Sequence, residues 1–296
     1  MRIGIGLPTR SDFLVGDGIL EWAVLTDQTG YSSLAVLDRV VFRQLEPLVT
    51  LASVAGLTRH IRLLASVVLA PTRETTLLAR QAATIDVLSG GRLTLRVGVG
   101  VRHDDYLATG SDFKRRGQRL DGQLPLLRQI WHEGSIDGEL GPIGPSPVRP
   151  GGPELLIGGY VPAVARRVAA HADGFMAPGG GESDRMLDLW ALILEAWHLA
   201  KREGRPRWVG SSYAALGPKA NEQAARYIGS AYAFDPALAK RRLRGIPTTP
   251  ASVRDLIARQ AAMGVDEFII RPCAADPSFP ERLAEALPRL PDAVLG

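Results

Sequence analysis

Two periods of apolar residues alternate along this chain. Short β-branched runs recur, and between them apolar residues fall three and four apart. Residues 61–100 show the unit in full. The run I-R-L-L-A-S-V-V-L, residues 61–69, is apolar and is halted by Pro71, the pattern of a strand buried on both faces. Leu77, Leu78, Ala82, Ile85 and Leu88 then share one face of a helix over 75–88. The glycines of S-G-G-R end it by accepting the left-handed conformation of a C-terminal cap. A further apolar run, 93–99, closes on V-G-V-G. Strand, helix and strand with short joints make a right-handed parallel crossover.

The same unit repeats on either side. Strands are predicted at 3–7, 33–37, 155–157, 174–177, 208–216 and 267–270, and helices at 18–29, 45–57, 112–131, 162–170, 183–202, 219–244 and 251–263. Eight strands, each followed by helical sequence, predict an α/β fold of the (β/α)8 TIM-barrel class, with residues 1–296 as a single domain. Residues 134–153, rich in glycine and proline, read as a loop excursion within it. The segment 219–244 is longer than one crossover requires, and its Tyr227, Tyr232 and Phe234 are candidates to face a cleft. Gly4 and Gly6 interrupt the first strand, which marks close approach of a ligand or another part of the chain.

Composition narrows the class. The chain is 46% hydrophobic with net charge +4, and its arginines are scattered rather than striped, so no nucleic-acid footprint is read while anionic small ligands fit. Its single cysteine, Cys273, excludes an intrachain disulfide and suits a reducing compartment. The first apolar run breaks at Pro8 and Arg10, too early for a signal peptide, and uncharged runs fall short of the ~20 residues of a membrane helix. The expectation is a cytoplasmic protein acting on a small molecule, with no membrane and no nucleic-acid partner. No metal site is expected, because Asp104 and Asp105 are adjacent on one stretch and make a poor cage.

In a barrel of this class chemistry sits at the C-terminal ends of the strands. Those ends offer Asp38, Ser66 with Val67, Gly98 to Arg102, Gly158 to Val161, and Arg271. The ordered set S-V-x-x-x-P-x-R, then L-A-R-Q-A-A-T-x-D-x-L-S-G-G-R-L, then V-G-V-G resembles the luciferase-like monooxygenase superfamily, and the resemblance runs from Ile3 to about Pro272. It implies an oxidoreductase or monooxygenase that uses a reduced flavin-type cofactor on a small organic substrate. The cofactor is coenzyme F-420, a deazaflavin, or FMN, with the deazaflavin ahead. A non-catalytic flavin-binding barrel of the same superfamily is the alternative. The resemblance also implies a homodimer.

By that resemblance, Ser66 and Val67 share a cis peptide bond that bulges behind the cofactor ring. Gly98 and Gly100 flank the cofactor and Arg102 offers it a counter-charge. Gly158, Gly159, Tyr160 and Val161 hold its phosphate on backbone amides at a helix start, a position that favours anions. Asp38 stands where deazaflavin-using relatives carry Asp-His, and is a candidate both to contact the ring and to act in catalysis. Arg39 replaces the histidine, so that branch's mechanism does not transfer whole. His103, of the residue type that most often serves as acid or base, is the second candidate. Asp86 and Asp173 are read as structural, and Cys273 as an inert thiol.

Overall fold

Eight parallel strands close into a barrel. The computed structural model describes residues 1–10, 18–137, 139–179 and 183–287. The strands are β1 (Arg2–Gly6), β2 (Ser33–Val36), β3 (Arg62–Leu69), β4 (Leu93–Gly98), β5 (Glu154–Ile157), β6 (Gly174–Met176), β7 (Arg207–Ala214) and β8 (Glu267–Pro272). They pair in chain order, and β8 returns to β1 with Ile5 opposite Ile270. The chain is an α/β protein of the TIM-barrel class. Helices α1 (Gly18–Gln28), α2 (Pro47–Leu57), α3 (Thr75–Leu88), α4 (His103–Ala108), α5 (Arg116–Glu133), α6 (Ala163–His171) and α7 (Ser183–Leu199) alternate with the first strands. After β7 come α8 (Ala220–Ala231), α9 (Pro236–Arg244) and α10 (Pro250–Ala262), and after β8 comes α11 (Phe279–Ala286).

Because side chains alternate along each strand, the register decides what fills the barrel. Three levels result. At the N-terminal end, fully buried Glu267 accepts from the Ser33 hydroxyl at 2.6 Å and pairs with Arg207. Arg207 also pairs with Glu154, which accepts from Thr94 at 2.7 Å and from Arg62 at 3.3 Å. The level above is apolar: Ala35, Leu64, Leu156, Met176, Val209 and Ile269 form one buried cluster. One step further along the same strands come Ser66, Arg96, Ser211 and Arg271, all buried, at the C-terminal mouth. Outside the barrel, residues such as Leu63, Leu93, Leu155 and Phe268 pack against the helices in the main core.

The long excursion is anchored from the core side. Buried Asp86, on α3, accepts from the amide of Val148 at 2.9 Å. Asp173 accepts from the amide of Leu155 at 2.8 Å and from Arg128 at 2.9 Å, at the entry to β6. Cys273 is buried, and that burial raises its thiol to about 12.

Three helical details differ from the sequence reading. Residues 103–108, expected as loop, form α4. The predicted helix at 112–131 starts at Arg116, because the Asp112 carboxylate accepts from the amide of Lys114 at 2.8 Å and holds a turn ahead of it. The predicted helix at 219–244 is two helices: Asp235 caps α9 through the amide of Leu238 at 2.9 Å, and Pro236 occupies the first turn, where its missing amide hydrogen costs nothing. Beyond Pro272, α11 packs its Phe279 against Trp22 of α1, ring centroids 6.3 Å apart.

Candidate functional site at the barrel mouth

The peptide bond between Ser66 and Val67 is cis. The β3–β4 ladder shifts there, so that Ser66 faces Arg96 while Val68 faces Val97. Val67 is thereby displaced toward the mouth, and Gly98 lies beside it: a Cβ at Gly98 would stand 3.0 Å from Val67 Cγ2 and 3.5 Å from the Gly158 carbonyl. The ends of β3, β4 and β5 thus meet at Val67, Gly98 and Gly158, the last two without side chains. Gly100 has φ +66°, a conformation glycine adopts without penalty, and packs on Leu69.

Gly158 to Val161 form the turn from β5 into α6. The Gly158 amide bonds the Val97 carbonyl at 2.9 Å, whereas the amides of Gly159, Tyr160 and Val161 bond nothing among the described residues. Two cations border this turn. Arg185 donates to the Tyr160 carbonyl at 3.2 Å, and Arg242 donates to the Tyr160 hydroxyl at 2.8 Å.

Asp38, 4% exposed, stands at the end of β2. Its Oδ2 accepts from the Leu69 amide at 3.0 Å and from Arg73 at 2.9 Å, and Arg73 also reaches Glu46 at 2.8 Å. Burial pushes the Asp38 carboxyl above its ordinary range, with Arg73 opposing. Asp38 therefore clasps the end of β3, and its Oδ1 accepts no hydrogen bond among the described residues.

Arg102 and His103 belong to a different neighbourhood. Arg102 is bonded to Asp104 through two nitrogens and lies over the Phe234 ring, 4.7 Å from its centroid. His103 is exposed on α4 and meets the edge of Phe113 at 5.2 Å. The structure brings Ser66, Val67, Gly98 and Gly158 together and does not bring these two side chains to them.

A roof covers the mouth. Helices α8 and α9 lie above it on their own small core of Ala224, Tyr227, Ile228, Ala231 and Cys273. Arg39, beyond β2, donates to the Ala231 carbonyl at 2.6 Å. Arg102, beyond β4, stacks on Phe234, and Arg242 of α9 reaches Tyr160 beyond β5. Tyr227 stacks obliquely on Tyr213 of β7 with centroids 5.1 Å apart. Beneath Tyr227 a cavity of about 20 Å³ is lined by Leu7, Ala35, Leu37 and Arg271 among others, room for about one water. Tyr227, Tyr232 and Phe234, candidates to face a cleft, sit in the roof, and Tyr227 lines the cavity.

The sequence reading missed Arg96. Its signal was available: Thr94 and Arg96 share the inward parity of β4, so an arginine two residues beyond a polar floor position points into the mouth. Among the described residues no group of three or more His, Cys, Asp or Glu side chains is placed to hold a metal ion, and no helix is long and apolar enough to cross a membrane.

The model of the luciferase-like monooxygenase family matches residues 1–290. The chain belongs to the luciferase-like monooxygenase family. Among curated proteins, this family member is 32% identical over 189 residues to an uncharacterized protein of Mycobacterium tuberculosis, covering 61% of this chain and 65% of that protein. It is 29% identical over 196 residues to the F420-dependent glucose-6-phosphate dehydrogenase of Kribbella flavida, covering 61% of this chain and 58% of that enzyme. The chain thus spans less than two thirds of the length of the curated relatives it matches. Among solved structures, the monooxygenase RslO1 from Streptomyces bottropensis superposes with TM-score 0.75 at 22% identity, covering 97% of this chain and 96% of that one, a likeness of fold.

Proposed function

We propose that this family member is an oxidoreductase using a reduced deazaflavin, coenzyme F-420, in preference to FMN, on a small organic substrate. The observation that carries the reading is the convergence of the Ser66–Val67 bulge with Gly98 and Gly158. Two of the three strand ends there, Gly98 and Gly158, add no side chain of their own beside the Val67 bulge, which suits close approach of a flat ring. The partly unbonded turn of Gly159, Tyr160 and Val161 at the start of α6 suits a phosphate. Arg185 and Arg242 beside it suit the additional negative charge of a deazaflavin tail, and this favours that cofactor. The likeness to an F420-dependent dehydrogenase supports the same choice.

When bound, such a group supplies the electrons, to dioxygen in the FMN case and to the substrate in the deazaflavin case. The chain's own part is to bind, orient and exclude water. Val67 and Gly98 would lie against the ring, and Asp38 fixes the end of β3 that carries Val67. The α8–α9 roof keeps water out once closed. Tyr227 lines the small cavity beside Arg271, so a ring entering from that side would have to displace the roof. This reading gives Arg102 a role in holding the roof and assigns no proton transfer to His103.

Anaerobic titration of the purified protein with FMN, FAD and the deazaflavin tests it. Saturable binding of the deazaflavin, weakened by Gly159→Pro, is expected. Binding of none of the three would overturn the reading.

A further inference from the structure

The upper level of the barrel holds two arginines that no acid among the described residues neutralises. Arg96 is 8% exposed and Arg271 6% exposed. Arg96 makes no hydrogen bond or ion pair among the described residues, and its Nε is buried without a partner. Among the described residues Arg271 bonds only the neutral oxygens of Ser66, and its Nε is likewise unpartnered. The acids near the mouth are committed elsewhere. Asp38 serves Leu69 and Arg73, and Asp105 accepts from the amides of Val40 and Val41 at 3.0 and 2.8 Å. Burial pushes the Arg96 guanidinium down to about 9, with Arg271 adding to the shift, and the groups that favour charge on either arginine are tyrosines, not carboxylates.

The same barrel neutralises its other interior arginines. Arg62 and Arg207 meet Glu154 and Glu267 at the N-terminal end. The lack of an acid paired with these two arginines, among the described residues, is thus a local feature. Room is also made for these two side chains: a Cβ at Gly158 would stand 2.1 Å from Arg96 Nη2, and one at Gly6 would stand 2.9 Å from Arg271 Cγ. An uncompensated buried charge is strongly destabilising, so a pair of them marks a place completed by a ligand.

We propose that Arg96 and Arg271 form a carboxylate subsite on the floor of the mouth, and that the substrate is an organic acid held there by its carboxylate. This rests on the reading of the mouth as a redox site. A guanidinium presents two parallel donors to a planar two-oxygen acceptor. A carboxylate there would compensate both cations at once, beside the Ser66 oxygens that Arg271 already holds.

The test is titration of the purified protein with acetate, benzoate and inorganic phosphate, by calorimetry and by thermal unfolding, without added cofactor. Saturable binding of the carboxylates is expected, at least tenfold weaker in Arg96→Met and in Arg271→Lys, and unchanged in Arg226→Ala, a surface control. Arg96→Met without ligand is expected to melt at a higher temperature than the parent, because an uncompensated charge is removed. Absence of saturable carboxylate binding, binding untouched by either substitution, or a lower melting temperature for Arg96→Met would overturn the proposal. Repeating the titration with cofactor present separates the two readings. Carboxylate binding that persists supports the subsite, and one-for-one displacement by the cofactor assigns the arginines to the cofactor and overturns it. Failure of every cofactor to bind would sink the redox reading while leaving the carboxylate result standing.

Discussion

Arg271 of β8 donates to both oxygens of Ser66 on β3, to the hydroxyl at 2.7 Å and to the carbonyl at 3.1 Å. These strands are not neighbours in the barrel, so the contact crosses the mouth and ties its two sides together. Ser66→Ala removes the shorter bond and leaves a buried cation with one acceptor fewer. A loss of about 1–3 kcal/mol is expected. It should appear as a lower urea midpoint with an unchanged slope.

Glu154 gives the barrel floor its acid sensitivity. Burial raises its carboxyl, but Arg207 and Arg62 outweigh that and hold it below the ordinary 4.5. A carboxyl depressed in the folded state contributes stability that is complete above its unfolded value and lost as pH falls through the folded value. Stability should therefore decline from about pH 4.5 downward, and Glu154→Gln should flatten that decline in acid unfolding followed by circular dichroism.

Gly174 is the tightest strand contact. A Cβ there would stand 2.2 Å from the Arg207 carbonyl oxygen and 2.8 Å from its amide nitrogen, both backbone atoms held in the β6–β7 ladder. Nothing flexible is available to move. Gly174→Ala should cost about 3 kcal/mol or more, and loss of soluble protein or a large fall in melting temperature would register it.

The roof should loosen when its fastening to β5 is cut. Arg242→Ala removes the bond to the Tyr160 hydroxyl. Limited proteolysis should then cleave faster between residues 217 and 249, with little change in global melting temperature. Equal cleavage rates in parent and variant would refute the fastening.

Most of the barrel could be read from spacing. Helix α3 falls at 75–88 in both readings, because its apolar stripe and glycine stop agree. Each predicted strand lies within two residues of an observed one at either end. Helix α4 escaped notice since six residues are too few to show a period, and α11 since it follows the last strand. The mouth was legible in part. Ser66, Val67, Gly98 and Gly158 were picked by a resemblance, and the structure brings them into contact. Arg96 was not, although its shared parity with Thr94 on β4 put both on one face of the strand. His103 and Arg102 lie near the end of β4 in sequence, yet α4 carries them toward Phe113 and Phe234.

The fastenings of α8 and α9 also set an energetic link between entry and affinity. Any guest that lifts the roof must first break the Arg39 and Arg242 bonds, so the binding constant seen from outside is the intrinsic one diminished by the rarity of the lifted form. A sequence change that merely unfastens the cap, far from any atom of the guest, would make the barrel grip more tightly.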